Sequence, residues 1–201
     1  MVDLDDALEA EEKIIREIRT FVSIGNVVGA NEKQVIYASA PLTTGPEMYD
    51  ALEFYKLTST AELKVKHPAA YNEIFKKNTS AGVAFATELR ERNKDSLVIC
   101  PAPFFRDGFT QEHYMAFWEQ VISRFADQIN SGKGWELSSG CVEESFIGFR
   151  LDLPVHEEFN EQPLSPAEAV EKILPAIARI KNLGADYKQI YNFYRRLKLI
   201  A

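Results

Sequence analysis

The chain has 201 residues, 46% of them hydrophobic and 26% charged, which is enough to bury one core and predicts a single domain over residues 1–201. The net charge of −7 is spread along the sequence, which argues against a nucleic-acid polymer as partner. No stretch reaches the roughly 18 apolar residues of a membrane span, so we expect no membrane association.

The N-terminal region has apolar residues at helical spacing, which predicts an amphipathic helix from about residue 5 to 24. A basic stretch followed by an apolar run, typical of a secretory signal, is not found there, so we expect a cytoplasmic protein. Residues 1–30 are predicted to be a helical extension of a core that spans residues 33–156.

Short apolar runs bounded by prolines and turn residues predict buried strands. The two clearest are VIYASAP, which begins at Val35, and SLVICPAP, which begins at Ser96. Weaker patterns at 128–130 and within 151–157 predict two more strands.

Helices are predicted between and after these strands. They cover 46–56, a segment from 60 that Pro68 interrupts, a helix capped by Thr79 or Ser80, a long helix ending near residue 126, and 139–150. Helices over 166–182 and 186–199 make up a C-terminal region, 165–201. This alternation predicts an α/β fold: a mainly parallel, Rossmann-like or flavodoxin-like sheet flanked by helices, with extra helices at both termini.

Ligands of such sheets bind beyond the carboxyl ends of the strands, which makes the loops there informative. The loop after the first strand offers hydroxyl groups and backbone amides that suit a polar ligand or a phosphate, although they also suit an ordinary turn. These residues are Ser39, Thr43, Thr44 and Gly45. Arg106 follows the second strand.

The segment GWELSSGCVEESFIGFR, residues 134–150, contains a predicted helix start. Ser138 or Ser139 can cap the helix, and Gly140 leaves room for a ligand near the backbone. Glu144 lies one turn further on the same face, whereas Glu143 is rotated by about 100° and is expected to face solvent or a basic partner. A carboxylate here either stabilises the helix dipole or is a reactive group held in a pocket.

The two cysteines, Cys100 and Cys141, do not form a metal-type pair, and the three histidines are scattered. We therefore predict two reduced, buried thiols, no metal site and no cofactor.

Three segments, in this order, resemble the nucleoside 2-deoxyribosyltransferase superfamily, which includes nucleotide N-glycosidases. They are VIYASAP, VICPAP with the following helix that ends in RFADQI, and GWELSSGCVEESFIGF. The resemblance implies a glutamate nucleophile that attacks the anomeric carbon of a ribosyl or deoxyribosyl group and displaces the base. It assigns the nucleophile to Glu144 and a hydrogen-bonding partner of that nucleophile to Tyr37.

The resemblance also implies further site residues. Transferases of the family carry a base-contacting aspartate six residues before the nucleophile, and Ser138 stands there in this chain, which favours hydrolysis over transfer. Asp127 matches an Ala-Asp pair of the family and serves either the substrate site or folding. The expected binders of a 5'-phosphate are Ser39, Thr43, Thr44, Gly45, Ser138, Ser139 and Arg106. Sites in this family are often completed by a neighbouring subunit, which implies a homodimer or a larger homo-oligomer.

Three functions therefore stay open at the level of sequence. The first is an enzyme that cleaves the N-glycosidic bond of a nucleoside or nucleotide. The second is a non-catalytic nucleotide-binding or sensing domain, favoured by Ser138 in place of the aspartate. The third is an interaction protein that uses the apolar faces of its terminal helices.

Overall fold

The computed structural model describes residues 4–30 and 32–201, with side chains for all of these except residues 4–11 and 26–28. Residues 1–3, which belong to the predicted N-terminal extension, and residue 31 lie outside the described residues.

Four strands form one parallel sheet with the order β2-β1-β3-β4. The strands are β1 (Val35–Ser39), β2 (Leu97–Ile99), β3 (Gln128–Ser131) and β4 (Val155–Glu157). This order matches that of flavodoxin-like sheets, so the predicted α/β fold with a parallel sheet flanked by helices is confirmed.

Eight α-helices and one short 3-10 turn, Trp135–Leu137, lie within the described ranges 4–30 and 32–201. The helices are α1 (Leu4–Val28), α2 (Pro46–Tyr55), α3 (Thr60–Lys66), α4 (Pro68–Arg92), α5 (Gln111–Phe125), α6 (Ser139–Arg150), α7 (Pro166–Asn182) and α8 (Lys188–Leu197). Of the helices in this part of the chain, none combines the length and the apolar character that crossing a bilayer requires.

The break at Pro68 is confirmed, because His67 separates α3 from α4. The predicted helix start at Thr79 or Ser80 is wrong: α4 runs without interruption from Pro68 to Arg92. The Thr79 hydroxyl donates to the carbonyl oxygen of Phe75, one turn earlier, at 2.9 Å. A threonine hydroxyl can cap a helix or bond back along one, and the local sequence does not distinguish these roles.

Strand β1 lies in the middle of the sheet and is buried on both faces. Ile36 and Ala38 pack on α4, whereas Tyr37 points to the opposite face, where α5 and α6 lie. Helix α4, on the connection from β1 to β2, and helix α6, which follows β3, therefore cover opposite faces. In sheets of this type the ligand-binding crevice lies outside the carboxyl ends of the two strands where the helices change face, which are β1 and β3 in this chain.

A separate apolar cluster surrounds Trp135 and joins α2, α3, α6, α7 and α8. On the other side of α5, α1 contributes Phe21, whose ring packs edge-on against Phe117 and Trp118. The C-terminal helices and α1 thus hold α6 and α5 in position from outside the sheet.

Candidate active site

Glu144 lies at the carboxyl end of β1, where the fold predicts the ligand-binding crevice. It lies on α6, only 7% of its surface is exposed, and each carboxylate oxygen accepts a hydrogen bond from β1. The Tyr37 hydroxyl donates to Oε1 at 2.6 Å, and the Ser39 hydroxyl donates to Oε2 at 2.5 Å. Side chains that are more than 100 positions away in the sequence therefore hold both oxygens.

Burial raises the pKa of Glu144 to about 7, while the hydrogen bonds from Ser39 and Tyr37 act in the opposite direction. The cause is the cost of removing a carboxylate from water, which favours the neutral form. A group with this pKa exchanges its proton near neutral pH, as catalytic carboxyl groups do.

Tyr37 is fully buried, and its ring packs edge-on against Trp118 of α5, with 5.9 Å between ring centres. Burial, together with the charge of Glu144, raises the pKa of Tyr37 well above its ordinary value. The phenol therefore stays protonated at neutral pH and remains a hydrogen-bond donor to the carboxylate.

The starts of α2 and α6 meet at the same crevice. Ser138 caps α6 by accepting a hydrogen bond from the amide of Cys141 at 3.4 Å, and the Thr44 hydroxyl donates to the Ser138 hydroxyl oxygen at 3.3 Å. Gly45 precedes α2 with φ of 120°, where a Cβ atom would approach Pro41 to 2.7 Å. Helix N-termini carry partial positive charge, so their convergence suits an anionic ligand.

The remaining predicted binders of this rim, Thr43, Ser139 and Gly140, are half-buried. A Cβ atom at Gly140 would come no closer than 4.0 Å to Met115 and Ser138, so the space over the first turn of α6 is open. Neither helical geometry nor packing requires glycine at this position.

Cys141, which the sequence suggested only as a buried thiol, lies beside this group. Its burial raises the pKa of the thiol to about 12, while Ser138 and Ser39 act as hydrogen-bond partners in the opposite direction. The thiol is therefore protonated and packs as a small apolar group. Both cysteines are free, but only Cys141 is buried as predicted, since Cys100 is half-buried. Its position three residues before Glu144 on α6 is the signal that could have placed it here.

Glu143 is half-buried and stays apart from the crevice hydrogen bonds. Burial raises its pKa to about 7, with the charges of Glu119 and Glu144 adding to the rise and Arg196 opposing it. The basic residue that interacts with Glu143 is thus Arg196 of α8, and the interaction is between their charges. Glu119 itself accepts a hydrogen bond from Arg150 at 2.6 Å and so links α5 to α6.

Two predicted site residues lie elsewhere. Asp127 is at the amino end of the sheet, where its carboxylate accepts a hydrogen bond from the amide of Val35 at 2.7 Å, so of the two roles open for it the structure supports folding. Arg106 pairs with Glu17 of α1 at 2.8 Å, so its charge is directed to α1. Ser39, expected to bind substrate, is fully buried and bonded to Glu144 instead.

Among residues 12–25, 29–30 and 32–201, no group of three or more histidine, cysteine, aspartate or glutamate side chains is arranged to hold a metal ion. Comparison of the chain with models of known protein families, with curated proteins and with solved structures finds no match. Support for a function therefore comes from the geometry of the site and from the motifs of the sequence.

Proposed function

We propose that this protein cleaves the N-glycosidic bond of a nucleoside or nucleotide, with Glu144 as the nucleophile. The observation that carries the proposal is the 2.6 Å hydrogen bond from Tyr37 to Glu144 at the carboxyl end of β1. The resemblance of the sequence to nucleoside 2-deoxyribosyltransferases implies a hydrogen bond between these two residues, which are 107 positions apart in the sequence.

The proposed reaction uses the Glu144 carboxylate, which hydrogen bonds to both of its oxygens hold in one orientation. A Glu144 oxygen forms a bond to the anomeric carbon while the bond from that carbon to the base nitrogen breaks, and the electron pair leaves with the base, which takes up a proton from solvent. Water then attacks the anomeric carbon of the glycosyl ester, releases a proton to solvent and restores the carboxylate. The ionised form is the nucleophile, so kcat/KM should fall about tenfold per pH unit below the pKa of about 7.

Anionic substrates are supported by the starts of α2 and α6, which meet through Thr44 and Ser138. Hydrolysis is favoured over transfer because Ser138 stands at the position of the base-contacting aspartate in the transferases, and a transferase must bind an acceptor base as well as the leaving base. A serine hydroxyl is a far weaker acid than a carboxyl group, so solvent is the expected proton source for the leaving base.

The alternative is a nucleotide-binding or sensing domain without turnover. The same serine, Ser138, favours it, as does the exposure of only 7% at Glu144. Under this hypothesis the crevice binds a nucleotide, and the raised pKa of Glu144 reflects burial without catalysis.

The test is release of free base from a panel of ribo- and deoxyribonucleosides and their 5'-monophosphates, with binding measured in parallel by calorimetry. We expect wild type to release base and E144Q to lose activity on the order of 10³-fold or more, the scale of removing a nucleophile. E143Q is the matched control, because it removes the neighbouring charge on the same helix and should keep activity within a few-fold.

The other outcomes separate the hypotheses. Nucleotide binding without base release by wild type would support the sensing domain. Base release by wild type that E144Q retains would exclude Glu144 as nucleophile. If neither binding nor release occurs with any member of the panel, both functions are wrong.

A further inference from the structure

Strand alternation brings two hydroxyl groups to one carboxylate. Tyr37 and Ser39 are two positions apart on β1, so their side chains point to the same face, while Ile36 and Ala38 point to α4. The tyrosine hydroxyl lies at the end of a long side chain and the serine hydroxyl lies next to the backbone. Both reach Glu144 from the same strand.

The Ser39 hydroxyl is enclosed. Ser39 has no exposed surface, so its hydroxyl meets neither solvent nor a ligand in the crevice. It donates to Oε2 of Glu144 at 2.5 Å, and the backbone carbonyl oxygen of Ser39 accepts from the amide of Gly132 at 2.8 Å. The residue is therefore anchored to both central strands, and its side chain is directed at the carboxylate.

A donor in this position has two physical effects on Glu144. It favours the ionised form, because a hydrogen bond to a charged acceptor is stronger than one to a neutral acceptor. Together with Tyr37 on the other oxygen, it also fixes the plane of the carboxylate, since rotation would break one of the two bonds. Ser39 is fully buried on a central strand, so packing restricts the movement of its hydroxyl group.

We propose that Ser39 is a positioning residue, whose hydroxyl fixes the Glu144 carboxylate on the side opposite to Tyr37 and favours its ionised form inside a buried site. This inference rests on the proposed function of Glu144 as the nucleophile. Ser39 acts through Glu144 and does not touch the substrate.

Ser131 is a natural control for Ser39. It is the register partner of Ser39 on β3, it is also fully buried, and its hydroxyl lies 3.1 Å from the hydroxyl of Ser145. Removing either serine hydroxyl takes a buried side-chain hydrogen bond from the carboxyl end of the sheet, and in S39A the Cys141 thiol also loses a partner. The hydrogen bond of Ser39 goes to Glu144, whereas that of Ser131 goes to another serine.

The other ionisable groups that interact with Glu144 are present in all of these variants. They are Tyr37, Cys141 and Glu143, and Glu143 is in turn influenced by Glu119 and Arg196. Tyr37 and Cys141 stay protonated near neutral pH, because burial raises the pKa of Tyr37 well above its ordinary value and that of Cys141 to about 12. A shift in the pKa of Glu144 that occurs in S39A but not in S131A therefore results from the loss of the Ser39 hydroxyl.

The experiment titrates the Glu144 carboxyl carbon by NMR in protein labelled with ¹³C-glutamate, with the signal assigned by its absence in E144Q. In parallel, the pH profile of kcat/KM is recorded for wild type, S39A and S131A. In S39A we expect the pKa of Glu144 and the acid limb of the profile to move together to higher pH by about one to two units. At pH 6 this shift lowers kcat/KM by about ten- to a hundredfold, whereas S131A leaves both midpoints unchanged.

S39C is a second variant that nearly preserves the side-chain volume but replaces the hydroxyl with a weak donor, and it should shift both midpoints in the same direction. Equal midpoints in wild type, S39A and S39C, or the same shift in S131A, would overturn the role of Ser39. So would an NMR shift without a matching shift in the kcat/KM profile of an active enzyme. If wild type releases no base from any substrate, the proposed function fails, and the NMR titration alone still decides whether Ser39 favours the ionised form of Glu144.

Discussion

A carboxylate lies at each end of strand β1, and the two carboxylates differ in the kind of group that donates to them. At the amino end, Asp127 accepts a hydrogen bond from the backbone amide of Val35, a donor that needs a partner for the strand to form. At the carboxyl end, Glu144 accepts from the side chains of Tyr37 and Ser39, and apolar residues in their place would leave no backbone group without a partner. The first arrangement serves folding, whereas the second is costly for folding.

Helix α6 repeats this contrast along its length. Its first turn contains Gly140, over which the space is open. Its last turns contain Gly148, where a Cβ atom would approach Ile129 and Val155 to 2.8 Å. Alanine would fit at Gly140, whereas Gly148 allows the helix to pack against the sheet. The looser packing and the buried charge therefore occur at the same end of the sheet.

The largest expected effect concerns the cost of the buried charge at the carboxyl end. Because burial raises the pKa of Glu144 from 4.5 to about 7, its contribution to stability is fully present below pH 4.5 and is lost as the pH rises through about 7. E144Q lacks this loss, so its free energy of unfolding at pH 8 should exceed that of wild type by about 3 kcal/mol. Urea denaturation at pH 5 and pH 8 measures the difference, which should narrow at pH 5.

A less stable E144Q at pH 8 would mean that the site holds its charge without cost, and the contrast between the two ends of β1 would disappear.

The next effect concerns the amino end. D127A removes the acceptor of the Val35 amide and should destabilise the fold by about 2 kcal/mol, the usual cost of a buried donor without a partner. Thermal or urea denaturation measures this loss, and D127N, which keeps an acceptor oxygen, should lose less. Base release per folded molecule should stay at the wild-type level, and a specific loss of turnover in D127A would assign Asp127 to the site after all.

The smallest effect compares the two glycines of α6. G140A should raise the free energy of unfolding by about 0.5 to 1 kcal/mol, because alanine is the better helix former, and should weaken nucleotide binding measured by calorimetry. G148A should instead lower stability by about 1 kcal/mol or more, because its Cβ atom meets side chains of the sheet. Unchanged nucleotide affinity in G140A would show that the open space does not receive the ligand.

Much of this fold could be predicted from local patterns. Short apolar runs bounded by prolines identified β1 and β2, and the Ser-Gly start identified α6 at its observed bounds, 139–150. The error at Thr79 arose because a hydroxyl group that bonds back along a helix has the same local sequence as a cap. A local sequence pattern predicts the structure when the alternative conformation would leave a backbone hydrogen bond unmade. It fails when both conformations satisfy their hydrogen bonds, as at Thr79.

The site was predictable only in part, for a related reason. Resemblance and helical spacing both selected Glu144 over Glu143. The partners of Arg106 and Ser39 were missed because each lies far away in the sequence: Glu17 precedes Arg106 by 89 positions, and Glu144 follows Ser39 by 105. A side chain with several possible partners does not reveal which one it binds until the elements are packed.

The ring contacts beneath the site connect the first helix of the chain to the nucleophile. Phe21 of α1 packs on Trp118, Trp118 packs on Tyr37, and Tyr37 donates to Glu144. Helix α1 thus contributes to the packing around the tyrosine that holds the carboxylate. We expect a truncation that removes Phe21 to loosen this packing, although Phe21 lies far from Glu144 in sequence.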